Sequence, residues 1–328
     1  MASREGAMAN SAGRGALQGA EEVTFDLLAE VLTSRQWAEL LKAPLELAAA
    51  EGMRGLTQML VGAGAQMGDA LHKAVQGGHR DIVNDLLEKG ASVAARDKLD
   101  HTPLHVAAHR GEPEMVQLML LKGADKDARD STGWTPLYTA VRHGHAAAVL
   151  ALLAAGADIN VRCGPLEWST VRVAAQRGYL SVLRTMIQHG VNVDAADEDS
   201  QTACHVAASE NQAGAIDVLV AAGANVNACA SRGDRPLHHA ARMLSLEAVS
   251  ALVVHGAHVN AQDNGLDTPL HYAAHNAGVL PRASAVVDHL LRSGADETLV
   301  GKHNGNPADV VAWSGIIAGR LVTDVKRV

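Results

Sequence analysis

The sequence predicts an all-α fold, an α-solenoid in which helix-turn-helix hairpins stack in a row with finger loops between them. Two observations carry this prediction: one pattern recurs at a fixed interval along the chain, and the apolar residues are mostly small. Of 328 residues, 48% are apolar but only 2% are aromatic. Alanine, leucine and valine let thin helices approach closely, whereas a thick globular core uses more large aromatic side chains.

The repeat is visible when the chain is aligned with itself. HTPLHVAAHRG begins at position 101, WTPLYTAVRHG at 134 and DTPLHYAAHNA at 267. The threonine-equivalent positions are 69, 102, 135, 169, 202, 235 and 268, so the step is 33 residues with a single step of 34. A second apolar segment that ends in Gly-Ala or a similar pair follows each block. A degenerate copy begins at position 43 and an incomplete one at 306.

Each position of the first block has a physical reason in a helix. Thr102 can cap the helix N-terminus, and Pro103 suits the first turn, where no amide hydrogen bond is lost. Leu104, Ala107 and Ala108 share one face, and the alanines allow close approach of the next helix.

The second block predicts an antiparallel helix after a tight turn. Gly111 accepts the left-handed conformation that ends the first helix. Apolar residues between Met115 and Leu120 form the stripe of the second helix, and Gly123 ends it. One such hairpin cannot bury its own apolar face, so neighbouring hairpins must stack.

This period, together with the TPLHxA motif, resembles the ankyrin repeat over about residues 43–315. The resemblance implies a non-catalytic protein–protein interaction module. It also implies that the motif histidine ties adjacent loops together at His72, His105, His205, His238 and His271. Tyr138 and Arg172 depart from that motif.

The predicted domain organisation has four parts. Residues 1–20 form a disordered tail, and 21–42 form capping helices. Residues 43–312 form the repeat domain, with about eight repeats and a partial last one. Residues 313–328 form a C-terminal cap or tail.

Histidines His101, His105 and His109, four residues apart, raise the possibility of a zinc site. The His105/His109 pair recurs as His271/His275, and no glutamate follows the first histidine as zinc proteases require. Glycine-rich GAGAQMG lacks a preceding strand, and GKHNG lacks the other residues of a phosphate loop. We therefore predict no metal site, no cofactor and no enzyme activity.

The composition limits which partners and which cellular compartment we expect. The net charge of −8 argues against broad nucleic-acid binding. The cysteines Cys163, Cys204 and Cys229 show no CxxC pairing, which favours reduced thiols, and Cys204 falls on a core position. The longest apolar run, 146–157, is too short to cross a bilayer. We expect a monomer inside the cell, in the cytoplasm, with nucleus or organelle left open.

The binding surface is predicted from the variable positions beside the motif, on the concave side formed by finger loops and first helices. The predicted partner-binding residues are Trp134, Trp168, His109, Arg110, Arg142, His143 and Arg177. We call the last five the basic stripe. Trp134 and Trp168 hold one finger position in consecutive repeats, where they either anchor a partner or pack against their own fingers. The stripe is either a binding site or a solvated face.

The predicted partner is a protein with an acidic segment and an apolar anchor, gripped by repeats 3 to 5, about residues 102–201. The alternative is a substrate-recognition adaptor of a larger enzyme complex such as a ubiquitin ligase. The resemblance also implies candidate hydroxylation sites at Asn160, Asn227 and Asn260, for which a structural turn role is the alternative.

Departures from the repeat predict local irregularity. The extra residue in the finger RCGPLEWST should make that loop protrude or kink, and NAGVLPRAS carries five additional residues. Asn211 and Leu244 stand where other copies have the helix-ending glycine. Asparagine tolerates that geometry but leucine does not, so we expect a rebuilt turn near Leu244. Repeats 5 to 7 should have the lowest local stability.

Overall fold

A computed structural model describes residues 34–164, 166–275, 281–302 and 307. The chain divides into two compact units, residues 1–98 and 99–328. The predicted tail 1–20, the predicted C-terminal segment 313–328 and the first five residues of NAGVLPRAS, 276–280, lie outside the described residues. The four predicted domain boundaries therefore stay a prediction.

In residues 34–98, the described part of the first unit, two helical hairpins follow a short helix. The described helices of this unit are α1 (Ser34–Leu40), α2 (Lys42–Ala50), α3 (Arg54–Gly62), α4 (Ala70–Gly77) and α5 (Arg80–Glu88). Helix α2 packs on α4, and α3 packs on α5. Leu45, Leu71 and Ile82 are almost fully buried between them. The degenerate copy that begins at position 43 is thus a helical hairpin.

The described residues of the second unit form a stack of six hairpins. The inner helices are α6 (Pro103–Arg110), α8 (Pro136–Arg142), α10 (Thr170–Arg177), α12 (Ala203–Ser209), α14 (Pro236–Arg242) and α16 (Pro269–His275). The outer helices are α7 (Pro113–Leu121), α9 (Ala146–Ala154), α11 (Leu180–Gln188), α13 (Ala213–Ala221), α15 (Leu246–Val254) and α17 (Pro281–Arg292). Each inner helix packs on the next inner one, and each outer helix on the next outer one. The predicted fold class, an all-α solenoid, is confirmed.

The hairpin chemistry at positions 102–111 agrees with the sequence. The Thr102 hydroxyl accepts a hydrogen bond from the His105 amide, and Pro103 opens α6. Leu104 and the alanines of α6 have no exposed surface, so the leucine alone contributes about 2 kcal/mol of hydrophobic burial. Gly111 ends the helix at a φ of 74°.

Three of the five motif histidines, His105, His205 and His238, bond the next finger, as predicted. His105 accepts the Thr102 amide on Nδ1 and donates from Nε2 to the Trp134 carbonyl at 3.0 Å. His238 repeats this arrangement, with Nε2 lying 3.1 Å from the Asp267 carbonyl. Burial lowers the pKa of His238 to about 4, so this ring is neutral at physiological pH.

Arg172 replaces the histidine in its repeat and reaches the next finger by another chemistry. Its guanidinium forms an ion pair with Asp197, and only about a tenth of each side chain is exposed. Burial lowers the pKa of Arg172 against the opposing effect of that carboxylate. A charge-assisted bond thus replaces a neutral one at this junction.

The finger with the extra residue contains a short antiparallel ladder. Strand β1 (Arg162–Cys163) pairs with β2 (Trp168–Ser169). Glu167 adopts a φ of 48° before β2. The insertion is accommodated by a β-hairpin in the finger, while the flanking helices keep their packing.

The expectation of a rebuilt turn near Leu244 is wrong. Leu244 adopts a φ of 55°, as Asn211 does. Its amide bonds the Ala241 carbonyl at 3.2 Å, and the Ser245 amide bonds the Ala240 carbonyl at 2.9 Å. These are the bonds that Gly144 and its successor make in the earlier repeat. The backbone hydrogen bonds outweigh a left-handed strain of about 1–2 kcal/mol.

Candidate functional site

The basic stripe lies where three neighbouring inner helices end. His109 and Arg110 end α6, Arg142 ends α8 just before His143, and Arg177 ends α10. All except the half-buried Arg142 are exposed. The C-terminus of a helix carries partial negative charge, so each cation is also stabilised by its own helix.

Trp134 is half-buried between its own helix and the next finger. A methyl group at Gly164 would lie only 3.0 Å from the indole nitrogen. The Arg142 guanidinium lies 4.6 Å from the indole centroid, and the Tyr138 ring lies 5.3 Å away. Trp134 therefore packs against its own helix and the next finger, and still exposes part of its ring.

Trp168 occupies the equivalent finger position but has different neighbours. It is half-buried on β2, opposite Cys163. The Arg172 guanidinium lies 5.0 Å from its centroid. Each tryptophan thus lies beneath an arginine of its own repeat, in the geometry of a cation–π contact.

The arginines of the stripe differ in how far their charge is neutralised. Arg110 forms an ion pair with Glu112 at 2.6 Å. Arg177 forms no ion pair with any residue that the structure describes, and its neighbour Gln176 hydrogen-bonds Glu210. Positive charge available to a partner is therefore concentrated toward Arg177.

The two stripe histidines contact each other across adjacent repeats. Nδ1 of His109 lies 3.0 Å from Nε2 of His143. His145, at the start of α9, bonds the His109 carbonyl through Nε2 at 2.9 Å. Burial, followed by neighbouring positive groups, lowers the pKa of both His109 and His143.

A second polar site, which the repeat pattern does not indicate, lies around Asp234. Asp234, 4% exposed, accepts from His239 Nε2 at 2.6 Å, and an Arg242 nitrogen lies 3.7 Å away. The His239 hydrogen bond, with the nearby Arg242 charge, lowers the pKa of Asp234 to about 2. Arg242 also lies over the Tyr272 ring, 4.4 Å from its centroid. A buried carboxylate is thus neutralised by two basic groups.

This cluster forms the floor of a polar cleft of about 200 Å³. The walls come from two neighbouring fingers and are lined by Asp199, Gln201, Ala230, Ser231 and Arg232. The signal in the sequence was the unusual aspartate at the finger position, followed by histidine and arginine on the next helix. The sequence could not indicate that all three side chains turn toward one point.

Hydrogen bonds link Ser209 to His239 and His239 to Asp234, as they link the serine, histidine and aspartate of hydrolytic enzymes. Ser209 Oγ lies 3.2 Å from His239 Nδ1. The same hydroxyl bonds the His205 carbonyl in the last turn of α12. The carbonyl end of a helix has the wrong polarity to stabilise an oxyanion. The arrangement therefore fits a structural network better than a nucleophile.

The three candidate hydroxylation residues all connect neighbouring loops. The side-chain oxygen of Asn160 accepts from the Asn192 amide at 3.0 Å, that of Asn227 from the His258 amide at 2.8 Å, and that of Asn260 from the Asp296 amide at 2.7 Å. A structural turn role is thus established for these side chains, and their hydroxylation stays a prediction.

The described residues contain neither a cluster suited to a metal ion nor a helix suited to a bilayer. No group of three or more histidine, cysteine, aspartate or glutamate residues in that part of the chain could hold a metal ion. Among the described helices, none combines the length and the apolar character that a bilayer crossing needs.

Stacked helical hairpins with connected fingers define a class, the repeat solenoids that bind other proteins. A family model described as "Ankyrin repeats (3 copies)" matches residues 45–130, 71–163 and 212–300. A second, "Ankyrin repeats (many copies)", matches 171–220. The chain belongs to the ankyrin repeat family, whose repeats are generally protein–protein interaction modules.

Solved structures agree with this assignment. The crystal structure of the human ASB11 ankyrin repeat domain is similar over 69% of this chain and 98% of that one. The identity is 26% and the TM-score 0.61. No curated protein matches the sequence significantly.

Proposed function

We propose that this chain is a non-catalytic module that binds another protein, as a scaffold, adaptor or inhibitor, on the surface formed by its fingers and inner helices. The contact lies in repeats 3 to 5, between about residues 102 and 201. The partner carries an acidic segment and an apolar anchor. The observation that supports this most is the pair of half-exposed tryptophans, Trp134 and Trp168, each beneath an arginine.

Tryptophan and arginine are the residues most enriched at the energetic centres of protein interfaces. Here Arg142 is already ordered by stacking on Trp134, so binding costs less side-chain entropy than for an unstacked arginine. The charge of Arg172, in contrast, is neutralised by Asp197. Exposed Arg177 lies at the end of the neighbouring helix α10 and extends the positive surface. An acidic partner segment would complement this surface, and the indoles would receive the apolar anchor.

The proposal includes a monomeric chain that acts in the cytoplasm. Cys163 and Cys204 are buried as free thiols, and Cys229 is exposed without a disulfide. Burial raises the pKa of Cys204 to about 12, which keeps it a protonated core residue. Light scattering should give one chain per particle, and fluorescence microscopy of the tagged chain in its host should place it outside organelles; a dimer or an organellar signal would contradict these parts.

Peptides selected from a random display library test the binding proposal. Selected sequences should be rich in glutamate or aspartate around a large apolar residue. Replacing Trp134 and Trp168 together with alanine should weaken binding at least about 30-fold, since truncation of even one hot-spot tryptophan costs about 2 kcal/mol.

The matched control is Met243→Ala, because Met243 is an exposed apolar residue at an inner-helix end outside the stripe. This control should bind like the wild type. Basic or neutral peptides, or full binding by the double alanine variant with an unchanged melting temperature, would contradict the proposal.

A further inference from the structure

His109, His143 and His145 form one cluster that spans two adjacent repeats inside the basic stripe. The rings of His109 and His143 meet edge to face with centroids 4.2 Å apart. The His145 ring lies nearly parallel to that of His143, with centroids 6.1 Å apart. Because His145 also bonds the His109 carbonyl, the end of α6 is held against the end of α8.

The contact between His109 and His143 limits how many protons the pair can hold. Its two nitrogens are 3.0 Å apart, so one must donate and the other must accept. One imidazole can become charged without breaking this bond. Once both rings are doubly protonated, two N–H groups face each other and the contact is lost.

The groups that face the pair are mostly basic. They are His101 before α6, Arg110 ending α6, Arg142 ending α8, His145 before α9 and Arg177 ending α10. Glu112 offsets Arg110 by its ion pair, and Asp130 lies 3.5 Å from His101. With burial, these neighbours lower the pKa of both histidines, so an added acidic group would favour their protonation.

We propose that the His109–His143 contact is a proton-operated control on partner binding: an acidic segment bound to the stripe draws protons onto both imidazoles, which separate and then bind it as cations. This inference rests on the proposed function, because it requires an acidic partner at the stripe. Binding takes up protons, so by linkage affinity rises as the pH falls below about 6.5.

The test uses a synthetic peptide with five glutamates on each side of a central Leu-Phe pair, labelled with a dye whose emission does not depend on pH. Its dissociation constant is measured by anisotropy on the full chain at pH 7.5 and 5.5, where glutamate stays mostly ionised. For the wild type we expect affinity to rise about tenfold, since two added charges contribute about 1 kcal/mol or less each.

The variant His109→Gln/His143→Gln removes the titration while keeping polar side chains. Its ratio of affinities at the two pH values should fall below about 2, whatever its affinity at pH 7.5. The matched control is His275→Gln, because His275 is exposed at the same register position as His109 in another repeat. It should keep the full ratio.

The outcomes separate the two proposals. Peptide binding with the same pH ratio in the wild type and the double variant overturns the proton control and leaves the proposed function in place. Absence of peptide binding at both pH values overturns the acidic-partner proposal and the proton control with it. A ratio that drops only in the double variant supports both.

Discussion

The repeat that contains Trp134 and the repeat that contains Asp234 use the same positions for opposite purposes. In the first, Arg142 stacks on a half-exposed indole. In the second, Arg242 occupies the equivalent position but approaches a buried carboxylate and covers Tyr272 of the next repeat. The residue at the finger position, tryptophan or aspartate, thus determines whether the arginine forms part of an exposed surface or neutralises a buried carboxylate.

The largest expected effect is the loss of stability when Asp234 is replaced. Replacing Asp234 with alanine leaves His239 and Arg242 without their buried counter-charge, and should lower the free energy of unfolding by about 3 kcal/mol. Urea denaturation followed by circular dichroism measures it. Asp199→Ala is the control, because Asp199 is exposed on the same cleft and should change stability by less than about 0.5 kcal/mol. Equal effects of the two changes would refute the role given to Asp234.

Acid should destabilise helices α12 and α14, which contain His205 and His238, before helices α8 and α10 of the repeats that contain Trp134 and Trp168. The pKa values of His205 and His238 are lowered from 6.5 to about 4 by burial, so the unfolded chain binds more protons between these pH values. Their stabilising effect is complete above pH 6.5 and is lost as the pH falls toward 4. The loss should be on the order of 2 kcal/mol for each histidine at pH 4.5.

Hydrogen exchange measured by mass spectrometry locates this loss. Helices α12 and α14 should exchange faster at pH 4.5, after correction for the intrinsic rate, while α8 and α10 change less. The reason is that α8 and α10 have Tyr138 and Arg172 at the motif position where α12 and α14 have a buried histidine. His238→Gln should reduce the dependence on pH. Uniform acceleration over all four helices would show that the motif histidines do not control the response.

Replacing Arg242 should mainly lower stability, whereas replacing Arg142 should mainly weaken binding. Arg242→Ala loses contacts with Asp234 and Tyr272 and should lower stability by about 1.5 kcal/mol while leaving peptide affinity unchanged. Arg142→Ala should lower stability by only about 0.5 kcal/mol and weaken the acidic peptide about fivefold. Calorimetry of unfolding and of binding measures both. The comparison fails if Arg242→Ala weakens binding more than Arg142→Ala.

The smallest effect concerns the turn that follows each arginine, where Gly144 and Leu244 are equivalent. Leu244→Gly should raise the melting temperature, because relief of a left-handed strain of about 1–2 kcal/mol exceeds the entropy that glycine adds to the unfolded chain. Gly144→Leu should do the reverse, since a side-chain carbon there would lie 3.1 Å from the Tyr179 ring. A destabilised Leu244→Gly variant would mean that its side chain contributes packing that outweighs the strain.

The repeated features of the fold could be predicted from the sequence because they depend on local chemistry. Thr102, Pro103 and Gly111 each act within one turn of their own position. The role of His105, His205 and His238 was also predicted correctly, through resemblance. The turn at Leu244 was predicted wrongly, because strain at one residue was weighed without the two hydrogen bonds that compensate it.

The candidate site was harder to predict because side-chain direction is not periodic. Arg142 was placed in the stripe, but its stacking on Trp134 depends on the rotamers of both. Asp234, His239 and Arg242 come from a finger and two turns of a helix, and only the folded backbone brings them together. The contact between His109 and His143 crosses a repeat boundary, which spacing within one repeat could not indicate.

The NMR signals of the four tryptophan indole N–H groups give the most direct test of partner binding at Trp134 and Trp168. Nitrogen-15 labelling and single Trp→Phe variants assign them, and the glutamate-rich peptide is then added. We predict that the signals of Trp134 and Trp168 shift with a common dissociation constant while that of Trp37 stays in place. Saturating peptide that leaves both Trp134 and Trp168 unmoved would contradict the account.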